Sequence, residues 1–180
     1  MVKPTYVLGL NTYDHDVSAC LLRDGEIAYA IAKERLTRIK HASGFYDEVI
    51  EYCLGAEGIT LDDVDLILPV EEMERRLVTQ DMPGFLAEHE RAVARDNPLF
   101  LSASGKVVTI SHHIAHAYSA FAPCPFEDGV VMIVDGVGSY AADAMEDHPD
   151  VKAAAPLAGE PESYCRFSGT TLETLKKVWL

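Results

Sequence analysis

The first part of the chain alternates short apolar runs with polar turns. Apolar runs cover Tyr6–Leu10, Ser18–Leu22 and Ile27–Ile31, and an Asp24-Gly25 pair separates the last two. Runs of this length bounded by turn residues are typical of strands, and Asp-Gly is a strong signal for a tight hairpin. The pattern therefore predicts a meander of consecutive antiparallel strands.

The next segment changes to helical periodicity. Apolar residues recur three or four positions apart as far as Gly55, which predicts an amphipathic helix that packs on the sheet. These residues are Phe45, Val49, Ile50, Cys53 and Leu54. The run Val64–Val70 then predicts a further strand, and the strongly charged segment Glu71–Arg95 predicts mainly helical, solvated cover for the domain.

A β-branched run leads into the most unusual stretch of the chain. Lys106–Ile110 predicts a strand that leads into the histidine pair at the start of a helix, and Ala115–Phe121 continues this helix until Pro123 and Pro125 stop it. The remaining apolar runs predict further strands, with a loop rich in Ala, Pro, Gly and Asp at His148–Pro161. These predicted strands are Val130–Val134, Ala141–Met145, Ser163–Phe167 and Thr171–Leu180.

The second group of strands repeats the order of the first: a strand, a loop containing Asp and Gly, then more strands. We therefore expect an α/β protein with a mixed sheet and flanking helices. Residues 1–125 would form one lobe, and residues 126–180 would supply the opening strands of a second, incomplete lobe.

Composition excludes some classes of function. With 29 acidic and 15 basic residues, the formal charge of −14 argues against a surface that follows nucleic-acid phosphates. No apolar run reaches the roughly 20 residues of a membrane span, and no signal peptide is expected. The four cysteines form no CxxC pair, so we interpret them as reduced packing residues of a cytoplasmic protein.

Candidate chemistry centres on His112 and His116. Residues four apart on a helix lie on one face, with Cβ atoms about 6 Å apart, close enough for both imidazoles to bind one metal ion. The alternative is a pair of helix histidines satisfied by water or carbonyl groups. Two other segments also have two alternative interpretations. The polar loop Asn11–Asp16 either caps strands or binds a ligand. The basic segment Glu34–His41 is either solvated or binds a phosphate.

Taken together, four stretches resemble the O-carbamoyltransferases of antibiotic and nodulation-factor biosynthesis. They occur in the same order and at compatible spacing: Gly9–Ala19, Glu34–His41, His112–Ala117 and Val134–Gly138. The resemblance implies an actin and sugar-kinase-like, ribonuclease H-like lobe. Enzymes that attach threonylcarbamoyl to tRNA share this lobe, but they carry Glu-Gly where this chain has Ile114-Ala115, so the small-molecule branch matches better.

The resemblance also implies a reaction and residue roles. Family members use ATP and carbamoyl phosphate to make carbamoyl adenylate, then transfer the carbamoyl group to a hydroxyl. By this resemblance His112 and His116 bind Fe(II) or another divalent metal, His15 and Asp16 provide a base, and Lys40 stabilises phosphate or an oxyanion. The second glycine loop, Asp135, Gly136 and Gly138, binds the nucleotide cofactor, and its Asp135 binds the metal through water or orients the acceptor.

The departures from the family pattern leave acceptor specificity open. Asp14, Lys33 and Ser139 stand where the family has histidine, an acidic residue and glutamate, respectively. The family's remaining second lobe and adenylate-forming domain follow this region. We therefore expect either that a companion chain in a hetero-oligomer supplies them or that this sequence is a fragment of a longer protein. The alternative is a non-catalytic interaction or scaffolding subunit that keeps the fold.

Overall fold

The computed structural model describes residues 3–11, 16–44, 46–70, 106–108, 110–142, 144 and 146–180. The chain divides into two compact units, Met1–Thr109 and Ile110–Leu180. The helix that carries the histidines therefore belongs to the second unit, and the division into lobes at residue 125 stays a prediction. The predictions for His15 and for the helical cover at 71–95 lie outside the described residues.

The first unit contains the predicted meander. Strands β1 (Tyr6–Asn11), β2 (Ser18–Arg23) and β3 (Glu26–Ala32) pair antiparallel, and β4 (Leu66–Pro69) pairs parallel with β1. The sheet order is β3-β2-β1-β4. Asp24 and Gly25 have φ of 53° and 87°, the left-handed pair that a type I′ hairpin requires.

The core of the first unit follows from the period of two in β1. Tyr6, Leu8 and Leu10 point to the same side and are buried against helix α2 (Asp47–Glu57). Helix α2 buries Val49, Ile50, Cys53 and Leu54, as predicted, and ends at Gly58 with φ of 75°. A shorter helix, α1 (Lys33–Thr37), follows β3 and ends at Arg38, which also has a left-handed backbone.

The second unit packs one helix on an antiparallel sheet. Helix α3 (His112–Phe121) contacts a sheet of order β5-β6-β7, formed by β5 (Asp128–Val134), β6 (Glu162–Ser168) and β7 (Thr171–Val178). Ala117 of α3 is buried with Ile133 and Cys165. Its last residue, Phe121, stacks on Phe167 with ring centroids 5.0 Å apart.

Two sequence predictions need correction. Ala141–Met145 was expected to be a strand, but Ala141 and Ala142 form a turn whose N–H groups donate to the carbonyls of Ala158 and Pro156. Alanine lacks the branched Cβ that favours a pleated strand, so these contacts decide the conformation. The predicted loop contains helix α4 (Pro149–Ala153), which begins with proline and is capped by the His148 ring. The predicted strand at 106–110 is described only at 106–108 and 110, where Val107 forms a parallel bridge to Ile67 that is flanked by the hydrogen bonds Ile67 N–H to the Lys106 carbonyl and Val108 N–H to the Ile67 carbonyl.

The four cysteines are free thiols, and Cys53 and Cys165 are fully buried, as expected of packing residues. Within the ranges that the structure describes, no helix is both long and apolar enough to span a bilayer.

Candidate metal centre

Helix α3 presents the two histidines of the predicted pair side by side. The chain enters the helix at Ser111, and His112 and His116 lie one turn apart. Their Nε2 atoms are 2.9 Å apart, and the rings meet edge to face with centroids 4.5 Å apart. The spacing seen in the sequence therefore does bring both imidazole nitrogens to one point.

Asp135 supplies a third donor at that point. It follows the last residue of β5, and its Oδ2 lies 2.8 Å from His112 Nε2 and 3.6 Å from His116 Nε2. The Asp135 backbone N–H donates to the Pro161 carbonyl at 2.9 Å, and the Gly136 N–H donates to Asp135 Oδ1 at 2.6 Å. These contacts fix both the backbone and the carboxylate of Asp135.

The donor set fits a divalent metal. The three ligating atoms lie within 4.8 Å of one another. Metal–nitrogen bonds of about 2.0–2.1 Å in a tetrahedral site place donor atoms roughly 3.3 Å apart, close to the spacing found between these atoms. A neutral His112 has at most one proton on Nε2, which cannot satisfy both Asp135 and His116, whereas one cation satisfies all three donors.

Exposure leaves one side of this cluster open. The side chain of His112 is 14% exposed, whereas those of Asp135 and His116 are 35% and 52% exposed. A metal held by three protein donors with an open position can accept water or a substrate oxygen, as catalytic sites do. The arrangement is therefore suited to chemistry as well as to binding.

The electrostatics keep Asp135 in its ligating form. Partial burial raises the pKa of its carboxyl, but hydrogen bonds with His112 and with the Gly136 N–H, together with the nearby imidazoles, outweigh burial and lower the pKa. Asp135 is therefore a carboxylate at neutral pH and is ready to bind a cation.

The loop that contains Gly136 and Gly138 contacts α3 through the side chain of Ser139. The Gly138 N–H donates to the Glu160 carbonyl at 2.9 Å, and Ser139 Oγ accepts from the His112 N–H at 3.1 Å. Ser139 thus satisfies one of the N–H groups that the first turn of a helix leaves without a partner. This contact gives a structural role to the serine that departs from the family pattern.

The catalytic candidates Asp16 and Lys40 belong to the first unit. Asp16 Oδ1 lies 2.9 Å from His41 Nδ1, and both residues have a left-handed backbone, with φ of 58° and 54°. Lys40 beside them is exposed. Lys33, another departure from the family pattern, forms an ion pair with Glu48 at 3.1 Å. The structure thus pairs Asp16 with a histidine that the sequence offered only as part of a basic segment.

Sequence reasoning missed a buried polar network behind the histidines. His113, Glu160, Ser163 and Lys177 are each at most 1% exposed and contact one another. Its only sequence signals were a lysine inside an apolar strand pattern and an isolated glutamate in the loop that precedes β6.

Comparison with known proteins gives consistent relationships. The family described as carbamoyltransferase N-terminus matches residues 6–96. Nodulation protein NolNO of Sinorhizobium fredii is 34% identical over 85% of this chain, and the uncharacterized protein sll1178 of Synechocystis is 34% identical over 78%. The matches cover 24% and 27% of those proteins, so the chain spans about a quarter of the length of these relatives.

A solved structure agrees on the fold. YeaZ from Pseudomonas aeruginosa matches 98% of this chain and 67% of its own chain, with a TM-score of 0.51 at 15% identity. At that identity the similarity supports the mixed α/β fold and nothing more specific. The match over residues 6–96 and the identity to NolNO show more: this chain belongs to the carbamoyltransferase family, as its amino-terminal region.

Proposed function

We propose that this chain forms part of a metal-dependent O-carbamoyltransferase that moves a carbamoyl group from carbamoyl adenylate to a hydroxyl of a small-molecule acceptor. The observation that carries the proposal is the convergence of His112, His116 and Asp135 in a member of the carbamoyltransferase family. The actin and sugar-kinase-like assignment of the lobe belongs to the same proposal and is supported by the similarity to YeaZ.

In this proposal the three side chains hold a divalent cation, Fe(II) by family resemblance. A bound cation supplies positive charge that neutralises the leaving phosphate and polarises the acyl group. His112 and His116 bind through the lone pairs of neutral imidazoles, and Asp135 contributes negative charge. The half-exposed His116 side of the cluster is where an acceptor can approach.

In this proposal the first unit contributes groups that accept a proton from the acceptor hydroxyl and bind a phosphate. His15 and Asp16 are the proposed base for the acceptor hydroxyl, and Asp16 contacts His41 at 2.9 Å, so a proton taken up there is shared with an imidazole. In this proposal Lys40, which is exposed next to His41, attracts a phosphate.

In the second unit, Asp135, Gly136 and Gly138 form the proposed nucleotide-binding loop.

The proposal extends to the partners. Carbamoyl adenylate requires ATP and carbamoyl phosphate, and we propose that a companion polypeptide supplies the adenylate-forming domain and the rest of the second lobe.

Metal binding is tested by anaerobic titration of the chain with Fe(II). We expect His112→Ala to weaken binding by more than the roughly 10–100-fold that outer-shell changes cost, because a direct ligand is lost. His148→Asn serves as the matched control: it removes an imidazole of the same unit outside the cluster and can keep the cap of α4. Equal affinity of His112→Ala and the parent chain would contradict the metal site.

Transfer itself is measured with carbamoyl phosphate, ATP, Fe(II), the companion polypeptide and a hydroxylated acceptor. We expect His112→Ala to abolish carbamoylated product while the chains still assemble. If assembly and product formation are both unchanged by His112→Ala, the chain serves as an interaction subunit and the catalytic proposal is wrong.

A further inference from the structure

A buried charge network lies directly behind the proposed metal centre. Lys177 Nζ contacts Glu160 Oε1 and Glu146 Oε1, each at 2.5 Å, and the side chains of Lys177 and Glu160 are fully buried. Ser163 Oγ donates to the Glu160 carboxylate. Charges are rarely buried completely, so a network of this kind needs a reason.

The network reaches the histidine helix through His113. His113 Nδ1 lies 2.9 Å from Ser163 Oγ and 3.3 Å from Glu160 Oε1, and its side chain is fully buried. Because Ser163 gives its proton to Glu160, the proton between Ser163 and His113 belongs to His113 Nδ1. The imidazole next to the ligand His112 is therefore anchored to the Glu160 carboxylate, directly and through a hydroxyl.

The same glutamate also holds the loop that carries Asp135. The Glu160 N–H donates to the Ser139 carbonyl at 3.1 Å, and the Glu160 carbonyl accepts from the Gly138 N–H at 2.9 Å. Its neighbour Pro161 accepts from the Asp135 N–H. One residue thus binds the helix with its carboxylate and the loop with its backbone.

Stability alone is a poor explanation for this arrangement. Within the described part of the chain, Glu160 Oε2 and His113 Nε2 are buried without a hydrogen-bond partner. A partly satisfied buried network costs free energy, and apolar residues of similar volume often pack at least as well. What apolar residues cannot provide is a directional link between α3 and the Asp135 loop.

We propose that Glu160 is a positioning residue for the metal centre: its carboxylate, held by Lys177, fixes the rotation of α3 through His113 and thereby sets His112 and His116 against Asp135. This inference rests on the proposed metal site and names the residue that orders it. Groups that orient ligands from behind are worth about 10–100-fold in metal affinity.

The test uses Co(II), whose visible spectrum reports both affinity and ligand geometry. In the full chain, Glu160→Gln keeps the shape of the side chain and removes its charge. We expect it to weaken Co(II) binding on the order of tenfold and to change the spectrum of the bound ion, at a temperature where circular dichroism shows the variant folded. Unchanged affinity and spectrum would overturn the inference.

Two further variants separate positioning from general stability. Phe167→Leu loosens the opposite end of α3, where Phe167 stacks on Phe121, without touching the network. It should lower the midpoint of thermal unfolding and leave Co(II) affinity within about twofold of the parent. If Phe167→Leu weakens binding as much as Glu160→Gln does, packing of α3 explains the effect and Glu160 has no positioning role.

The triple variant Glu160→Gln/Glu146→Gln/Lys177→Met covers the case in which the single variant fails to fold. It removes all three charges of the network at similar volume, so folding should be regained, but the weakened Co(II) binding should persist because the Glu160 carboxylate is absent. Parental affinity in the triple variant would refute the inference. Failure of the parent chain to bind Co(II) through His112 would refute the proposed metal site instead, and this inference with it.

Discussion

Two glycines two positions apart in the same loop differ sharply in their surroundings. A Cβ added to Gly138 would lie 2.6 Å from His113 Nε2 and 2.7 Å from the Glu160 carbonyl oxygen. A Cβ added to Gly136 would meet nothing within 4 Å. Neither residue has the left-handed backbone that requires glycine, so close approach alone explains Gly138.

We therefore predict opposite outcomes for the two alanine substitutions. Gly138→Ala must push His113 or the backbone of Glu160 aside and should destabilise the chain by about 1–3 kcal/mol, as overpacking does. It should also weaken metal binding, because His113 adjoins the ligand His112. Gly136→Ala should stay within about 0.5 kcal/mol of the parent. Urea unfolding and Co(II) titration of both variants measure these effects, and equal behaviour of the two would contradict the role given to Gly138.

The residues of the site differ in how far the sequence could predict them. His112 and His116 are one helical turn apart, so local geometry sufficed. Asp135 was expected in a glycine loop, but its contact with His112 depends on how α3 packs on β5, which no local pattern encodes. Glu160 and Lys177 could not be predicted as part of the site, because a sequence does not distinguish a buried ion pair from ordinary surface charges.

Among the elements, α3 is held more by its surroundings than by its own sequence. Isolated helices of fewer than about 12–15 residues are marginal in water, and α3 has 10 residues. Ala117 and Phe121 pack it on the sheet, and the Glu160 network and Ser139 hold its first turn. The site therefore depends on contacts between α3, β6, β7 and the connecting loops.

These contacts make a prediction about acid stability. Burial raises the pKa of Glu160, but hydrogen bonds from His113, Lys177 and Ser163 outweigh burial and hold the pKa below its usual value. Stability from this group is therefore full above the unfolded-state pKa of about 4.3 and is lost as pH falls through the lower folded-state value. Lys177, His113 and the nearby Glu146 are the charged or titratable groups that face it.

Urea midpoints measured between about pH 3 and pH 7 test this linkage. The parent chain should lose stability steeply below about pH 4.3, and Glu160→Gln should show a shallower loss over the same interval because it has no proton to take up. Other carboxyls with lowered pKa, such as Asp63 and Asp150, remain in both proteins and cancel in the comparison. Parallel curves would show that Glu160 is not linked to folding.

At this scale the sequence predicted elements best where the pattern was long and regular. The β1–β2–β3 meander, α2 and the strand that became β5 had clear apolar patterns and turn signals. The strand prediction at Ala141–Met145 failed at Ala141 and Ala142, which are small and lie in a turn where their N–H groups donate to the carbonyls of Ala158 and Pro156. Helix α4 was missed because it is one short turn, fixed by Pro149 and the His148 cap.

The molecule as a whole distributes its candidate chemistry over two compact units. Asp16, Lys40 and His41 belong to Met1–Thr109, whereas the candidate metal ligands His112, His116 and Asp135 and their supporting network belong to Ile110–Leu180. The family match at residues 6–96 lies entirely in the first of these. Metal binding and carbamoyl transfer should therefore be separable by substitution.

The variant that separates them is Lys40→Ala. Lys40 is exposed and lies in a different unit from all three donors, so the affinity of the chain for Co(II) should stay within about twofold of the parent. In the proposed reaction the lysine stabilises negative charge, so the rate of carbamoyl transfer should fall on the order of 100-fold, as for loss of one oxyanion-stabilising group. His116→Ala should instead lower both metal affinity and transfer rate.

Arg35→Ala is the matched control, because Arg35 is 70% exposed and carries the same charge in the same basic segment. If general attraction of an anionic substrate were the whole effect, Arg35→Ala and Lys40→Ala would slow transfer equally, and both losses would shrink together as salt screens them. A loss confined to Lys40→Ala and retained at high salt places Lys40 next to the reacting phosphate or acyl oxygen. A transfer rate unaffected by Lys40→Ala would remove Lys40 from the proposed reaction.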